Sequence, residues 1–140
     1  MRTEIIAEIA RMVEQAATVE QKLRAFAITK TKISRKRKVF FDSLETGMNA
    51  DEISQYTQKK QAIQKKIREE EATLLTQVFT QGSKKGEIAI LDTKEQNTII
   101  FIFMTSLRGL KREMVLENSY TRMEPAIEML VKMTMLTIKS

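Results

Sequence analysis

The sequence predicts an all-α protein of about four helices, packed as an antiparallel bundle or interlocked with other subunits in an oligomer. Few positions interrupt a helix, because the chain of 140 residues contains four Gly and one Pro. Apolar residues recur at alternating intervals of four and three over the first 44 positions, which is the spacing of an amphipathic helix. We expect a single domain over residues 1–140, with a basic N-terminal helix or arm at 1–46 and a helical bundle with apolar C-terminal helices at 47–140.

The first predicted helical segment runs from Thr3 to about Leu44. Ten of the twelve positions on its regular stripe are apolar, and the two exceptions are Lys30 and Arg37. An unpaired charge on a buried face is costly, so this part of the stripe is expected to be solvated or to face an anion. One helix of this length would extend about 63 Å. It therefore either projects as an arm or breaks or bends within residues 28–34, which are rich in β-branched residues of weak helix propensity.

The second segment is predicted from Ala50 to about Thr80, with Asn49 as its N-cap. A turn at residues 45–49 precedes it. The sequence Gly82-Ser83-Lys84-Lys85-Gly86 follows it and predicts a loop.

The third segment allows two interpretations. Residues 88–91 and 98–104 are apolar enough to form two strands of a hairpin. A helix over about 93–117 is favoured, because Asp92 is a suitable N-cap and apolar residues at 100, 103, 107, 110 and 114 have helical spacing. A last helix is predicted up to Ile138, with Pro125 in its first turn.

The most informative feature is a segment of basic side chains without an acidic one. This basic run consists of Lys22, Arg24, Lys30, Lys32, Arg35, Lys36, Arg37 and Lys38. Lys and Arg neutralise phosphates and release counterions, so the run predicts backbone binding of nucleic acid with low sequence specificity. Aromatic residues Phe26, Phe40 and Phe41 interleave with it. A solvated helix face is the alternative interpretation. A secondary basic patch is predicted on the next helix at Lys59, Lys60, Lys65 and Lys66.

Composition argues against an enzyme. The chain contains no His and no Cys, which removes thiol nucleophiles, the usual zinc sites and the usual neutral-pH proton carrier. Asp92-Thr93-Lys94 resembles the acid-x-Lys sequence of a restriction-type nuclease, but it has no evident partner acid, and a helix cap explains Asp92 better. Glu69-Glu70-Glu71 is expected to form a solvated helix face. We therefore predict no enzymatic activity, no cofactor and no metal.

The apolar C-terminal segments are expected to hold the bundle or a subunit interface. The residues predicted for this packing are Ile100, Phe103, Leu107, Leu130 and Ile138. Core packing is also the favoured role of Met123, Met129, Met133 and Met135. The alternatives are cover by another subunit and, less favoured, contact with a membrane surface.

Together these features predict a non-enzymatic structural or assembly protein that binds nucleic acid and self-associates, such as a nucleocapsid, coat or chromatin-like protein. The rival hypothesis is a coiled-coil adaptor or secretion-type chaperone that grips a partner helix. The N-terminal residues do not resemble a signal peptide, and no apolar run reaches the roughly 20 residues needed to cross a bilayer. An intracellular location, or one within a virion, is expected.

Overall fold

The computed structural model describes residues 3–140, and this part of the chain is all-α. Its five packed helices are α1 (Glu4–Gln15), α2 (Val19–Glu45), α3 (Ala50–Lys84), α4 (Thr93–Glu117) and α5 (Met123–Ile138). The prediction of an all-α fold is confirmed, with five helices where about four were expected. Residues 3–140 contain no strand, so the hairpin alternative for residues 88–104 is wrong and the helix alternative is right.

The additional helix arises because the first predicted segment breaks at Ala16–Thr18. The expectation of a break at residues 28–34 is therefore wrong. The Thr18 side chain accepts the Gln21 N–H, and the Gln21 side chain accepts the Thr18 N–H, which forms a capping box that starts α2. Residues 28–34 stay helical because Thr29 is buried and Ile33 packs against the core. Tertiary packing thus outweighs the weak helix propensity of β-branched residues.

The core lies where α2 meets the other helices. Phe26 of α2, Phe79 of α3 and Phe103 of α4 are fully buried, and the ring centroids of Phe26 and Phe103 lie 6.2 Å apart. Complete burial of a side chain of this size contributes about 1.5–3 kcal/mol. The Ala89 N–H donates to the Ile138 carbonyl over 2.9 Å, which ties the end of α5 to the segment before α4. The helices α4 and α5 therefore run antiparallel.

Two predicted helix starts are confirmed by hydrogen bonds. The Asn49 side chain accepts the Glu52 N–H over 2.9 Å, and the Glu52 carboxylate accepts the Asn49 N–H in return. The Asp92 carboxylate accepts the Glu95 N–H over 2.7 Å. Both sites also place acidic side chains near the positive end of the helix dipole.

The loop predicted to begin at Gly82 begins later, because α3 continues to Lys84. A Cβ atom on Gly82 would lie 2.6 Å from Val19 Cγ2, closer than real side chains approach. The residue is thus a glycine because α3 passes against the start of α2. The chain turns at Gly86, whose φ of 75° suits glycine.

The C-terminal half of α2 and the N-terminal half of α3 form a hairpin of two helices that is only partly covered by the rest of the fold. Complete burial stops at Thr29 on α2 and resumes at Ile67 on α3. We call residues 39–63 the outer hairpin. The rings of Phe41 and Tyr56 contact each other across it, with centroids 5.8 Å apart. The C-terminal part of the first predicted segment, now the second half of α2, therefore extends away from the core with α3 beside it.

The C-terminal helices are buried on one side only. Ile100, Phe103, Leu107 and Ile138 are in the core, and Leu130 is half-buried against it. Core packing is right for Met123 and wrong for Met129 and Met133, which are exposed. No helix among the described residues is long and apolar enough to cross a membrane.

Candidate nucleic-acid interface

The first two cations of the basic run hold helices together. The Lys22 ammonium donates to the carbonyl oxygens of Val13 at 3.0 Å and Ala16 at 2.7 Å, which closes the C-terminal end of α1. The Arg24 guanidinium pairs with Glu128 of α5 at 2.6 Å. Both side chains thus have partners within the fold.

The third cation, Lys30, forms a buried ion pair with Glu71. Its ammonium donates to both carboxylate oxygens at 2.8 and 2.6 Å, and the two side chains are 15% and 1% exposed. Burial lowers the pKa of Lys30, while the Glu71 carboxylate opposes that shift. Lys30 was expected to be solvated or to face an anion. It does face an anion, which is the Glu71 carboxylate of the protein itself. The expectation that Glu71 belongs to a solvated face is wrong, because Glu71 is buried and paired with Lys30.

Four later cations of the run share an open groove beside the end of α4. We call this surface the outer basic face, and it consists of Lys32, Arg35, Lys36 and Lys38. Val39, Asp42, Val115, Asn118 and Tyr120 complete the groove, which has a volume of about 690 Å³. The Arg35 guanidinium stacks 3.8 Å from the Tyr120 ring centroid.

The charge of the outer basic face is largely unneutralised. Lys38 pairs with Asp42 at 2.6 Å, and this partner raises the pKa of Lys38. Both members are exposed, so the pair contributes little stability and a phosphate can displace the carboxylate. Lys32 and Lys36 are exposed and form no ion pair within the described part of the chain.

A second basic surface lies between α2, α3 and α4 and adjoins the first, with which it shares Lys38, Asp42, Val115 and Tyr120. We call it the basic cleft, and its volume is about 410 Å³. Beyond Lys30 and Lys38, its lining cations are Arg37, Lys60, Arg68, Arg108, Lys111 and Arg112. Arg37 and Lys60 were predicted from the sequence, whereas Arg68 and the three cations of α4 were not. Their signal was the spacing of Arg108, Lys111 and Arg112, which at i, i+3 and i+4 share one helix face.

Repulsion among these cations is only partly offset within the fold. The two acidic side chains in the lining, Glu71 and Asp42, are already paired with Lys30 and Lys38. Burial lowers the pKa of Lys111, and the charges of Lys30, Lys60 and Arg37 lower it further, while the Glu71 carboxylate opposes the shift. Burial likewise lowers the pKa of Arg108, and the charge of Arg68 adds to that effect.

The secondary patch does not form one surface. Lys60 enters the basic cleft, where its ammonium lies 5.3 Å from the Phe41 ring centroid. Lys59, Lys65 and Lys66 are exposed elsewhere on α3. Among the interleaved aromatic residues, Phe26 is in the core and Phe41 is half-buried under Arg37 and Lys60. Phe40 is 59% exposed and remains accessible to a ligand.

No cluster of acidic side chains suited to a metal ion occurs in residues 3–140. Comparison with protein-family models, with curated proteins and with solved structures finds no match to this chain.

Proposed function

We propose that the protein is a non-enzymatic nucleic-acid-binding structural protein, of the kind that packages or coats a genome. It contacts the phosphate backbone through the outer basic face. The observation that supports this proposal is the arrangement of Lys32, Arg35, Lys36 and Lys38 around one open groove. Backbone contacts of this type position a protein on nucleic acid and carry little sequence information.

Self-association is the second part of the proposal, and exposed apolar side chains on the two C-terminal helices support it. Met129, Met133 and Leu136 follow one face of α5, and Phe101 and Ile102 are exposed on α4. Apolar surface of this kind commonly marks an interaction site, and Met suits an adaptable interface. Membrane contact fits less well, because interfacial helices are rich in Lys and Arg and α5 contains only Lys132.

The test is a titration of the protein into a labelled random-sequence DNA duplex, read by fluorescence anisotropy at about 50 and 200 mM salt. We expect binding that weakens steeply with salt, with a log–log slope of about −0.9 per phosphate contact. A single-stranded RNA of equal length in a parallel titration identifies the preferred nucleic acid. Absence of binding to both at the lower salt would refute the proposal.

Matched variants decide whether the outer basic face is responsible. Lys32→Glu combined with Lys36→Glu should abolish binding. Lys84→Glu combined with Lys85→Glu changes the net charge equally, but at the far end of α3, which contacts Val19 at the start of α2. Lys32 lies thirteen residues beyond Val19, or about 20 Å along α2. Equal loss in both variants would indicate a general charge effect and would count against the interface.

The adaptor or chaperone hypothesis is a second candidate, because the outer hairpin exposes a series of apolar side chains. They are Val39, Phe40 and Leu44 on α2, and Ile53 and Ile63 on α3. Such a surface suits the apolar face of a partner helix. Under this hypothesis, Val39→Ser combined with Phe40→Ser abolishes partner capture, whereas the Lys32 and Lys36 charge reversal leaves capture intact.

A further inference from the structure

We infer that the basic cleft is a binding site for a compact polyphosphate group, carried either by an inorganic polyphosphate or by a nucleotide. This site is distinct from the outer basic face in its walls, its shape and most of its residues. Its three walls come from α2, α3 and α4, whereas the outer basic face is an open groove between α2 and the end of α4. The two surfaces meet at Lys38, Asp42, Val115 and Tyr120.

Charge is the first argument. Six cations line the cleft without an acidic partner in the described part of the chain: Arg37, Lys60, Arg68, Arg108, Lys111 and Arg112. Like charges gathered around a partly desolvated space repel one another, and a bound anion relieves that repulsion. Several linked phosphates fit better than one, because the cations are distributed over three helices.

The types of side chain are the second argument. Four of the six cations are Arg, whose planar guanidinium matches the oxygens of phosphate in a bidentate way. The Lys30–Glu71 pair lies in the lining, and its hydrogen bonds hold α2 and α3 together at the site. The walls formed by α2 and α3 are thus positioned before any ligand arrives, which reduces the entropic cost of binding.

Size is the third argument. A volume of about 410 Å³ is within the range of small-molecule sites and far below the space that a duplex occupies. Apolar side chains such as Ile33, Val115 and Leu116 also line the cleft. They provide a surface for a nucleoside beside the phosphate-binding cations. The site therefore suits either a nucleotide or an inorganic polyphosphate.

Isothermal titration of the full chain with inorganic tripolyphosphate tests the site. We expect saturable one-to-one binding, and a rise in the melting temperature of the protein with tripolyphosphate concentration. Arg108→Gln and Lys111→Gln should each weaken binding about tenfold or more, as expected for the loss of a charge-assisted hydrogen bond. Removal of a repelling charge should leave both variants folded, which their melting curves verify.

The matched control is Lys32→Gln combined with Lys36→Gln, which removes charge from the outer basic face alone. It should retain tripolyphosphate binding and lose DNA binding, while the Arg108 and Lys111 variants should show the reverse. Tripolyphosphate binding that is absent, or that weakens equally in cleft and control variants, would overturn the inference. A failure of DNA binding would leave this site untouched, so the two proposals fail separately.

A parallel titration with a nucleoside triphosphate identifies the carrier. Tighter binding than that of tripolyphosphate upholds the site and assigns it to a nucleotide, with the apolar wall contacting the nucleoside. Equal or weaker binding upholds the site and assigns it to inorganic polyphosphate.

Discussion

Both halves of α2 are basic, but their cations differ in whether they have partners within the fold. In the first half, Lys22, Arg24 and Lys30 each have a partner on another element of the fold. In the second half, Lys32 and Lys36 have no ion-pair partner in the described chain, and Lys38 has only an exposed one. The cations of one continuous basic run thus have partners within the fold at its N-terminal end and are largely unpaired at its C-terminal end. Lys22 and Lys30 are partly buried beside their partners, whereas Lys32, Lys36 and Lys38 are exposed.

Of the stability changes that distinguish the two halves of α2, the largest is expected at the buried Lys30–Glu71 pair. Glu71→Gln leaves the Lys30 ammonium buried without a counter-charge, which should lower the free energy of unfolding by about 3–5 kcal/mol. Urea denaturation measures this change. Lys30→Met combined with Glu71→Leu removes both charges and should recover most of the loss. A cost below about 1 kcal/mol for Glu71→Gln would show that the charge of Lys30 is solvated and that the two halves of α2 are alike.

A somewhat smaller change in stability is expected from substitutions where the start of α2 meets α3. Gly82→Ala places a methyl group against Val19 and should cost about 1–3 kcal/mol of unfolding free energy by overpacking. Gly109→Ala is the matched control, because its added Cβ has no neighbour within 4 Å. It should stabilise α4 by about 0.5–1 kcal/mol through helix propensity. Thermal melting of both variants distinguishes them, and equal shifts would contradict the close packing of this end of α2.

The basic cleft, which adjoins the second half of α2, should show itself in the pH dependence of stability. The pKa of Lys111 is lower in the folded chain than in the unfolded chain, because burial and neighbouring cations disfavour its charge. Between its folded pKa and the ordinary lysine value of about 10.4, the unfolded state binds more protons, so the contribution of this group to stability rises with pH.

Lys111→Gln should therefore raise stability at neutral pH and flatten the rise toward alkaline pH. Lys30 also has a lowered pKa, so part of the rise should remain. Urea denaturation at a series of pH values, without added phosphate, measures both effects. A variant that is less stable than the parent at neutral pH would mean that Lys111 is not repelled by its neighbours.

The smallest effect on stability is expected on the outer basic face. Lys32→Gln combined with Lys36→Gln should change the free energy of unfolding by less than about 0.5 kcal/mol, because both side chains are exposed. The same pair should sharply weaken DNA binding under the proposed function. Arg24→Gln is a useful comparison from the first half of α2, because it removes the Glu128 pair and should leave DNA binding unchanged. Substantial unfolding by the Lys32 and Lys36 variant would remove the distinction between the two halves.

Local chemistry made much of the fold predictable. Asn49 and Asp92 marked two helix starts because capping depends on residues three positions apart. The break at Ala16–Thr18 was missed, although Thr18 and Gln21 form a capping box, because the apolar stripe continues through it without a phase change. The loop at Gly82 was misassigned because glycine also occurs where two helices make close contact, and only the position of Val19 distinguishes these roles.

The amino-acid sequence by itself determined the helical state, two of the helix caps, the concentration of positive charge near residues 22–38 and the absence of His and Cys chemistry. The tertiary structure alone decided which of those charges remain available. Lys30 and Glu71 are 41 positions apart, and Arg24 and Glu128 are 104 apart. The convergence of Arg68, Arg108 and Lys111 on one cleft likewise depends on how α3 and α4 pack. Helix periodicity and capping act over a few residues, whereas the solvation and pairing of a charge depend on whatever the fold brings beside it.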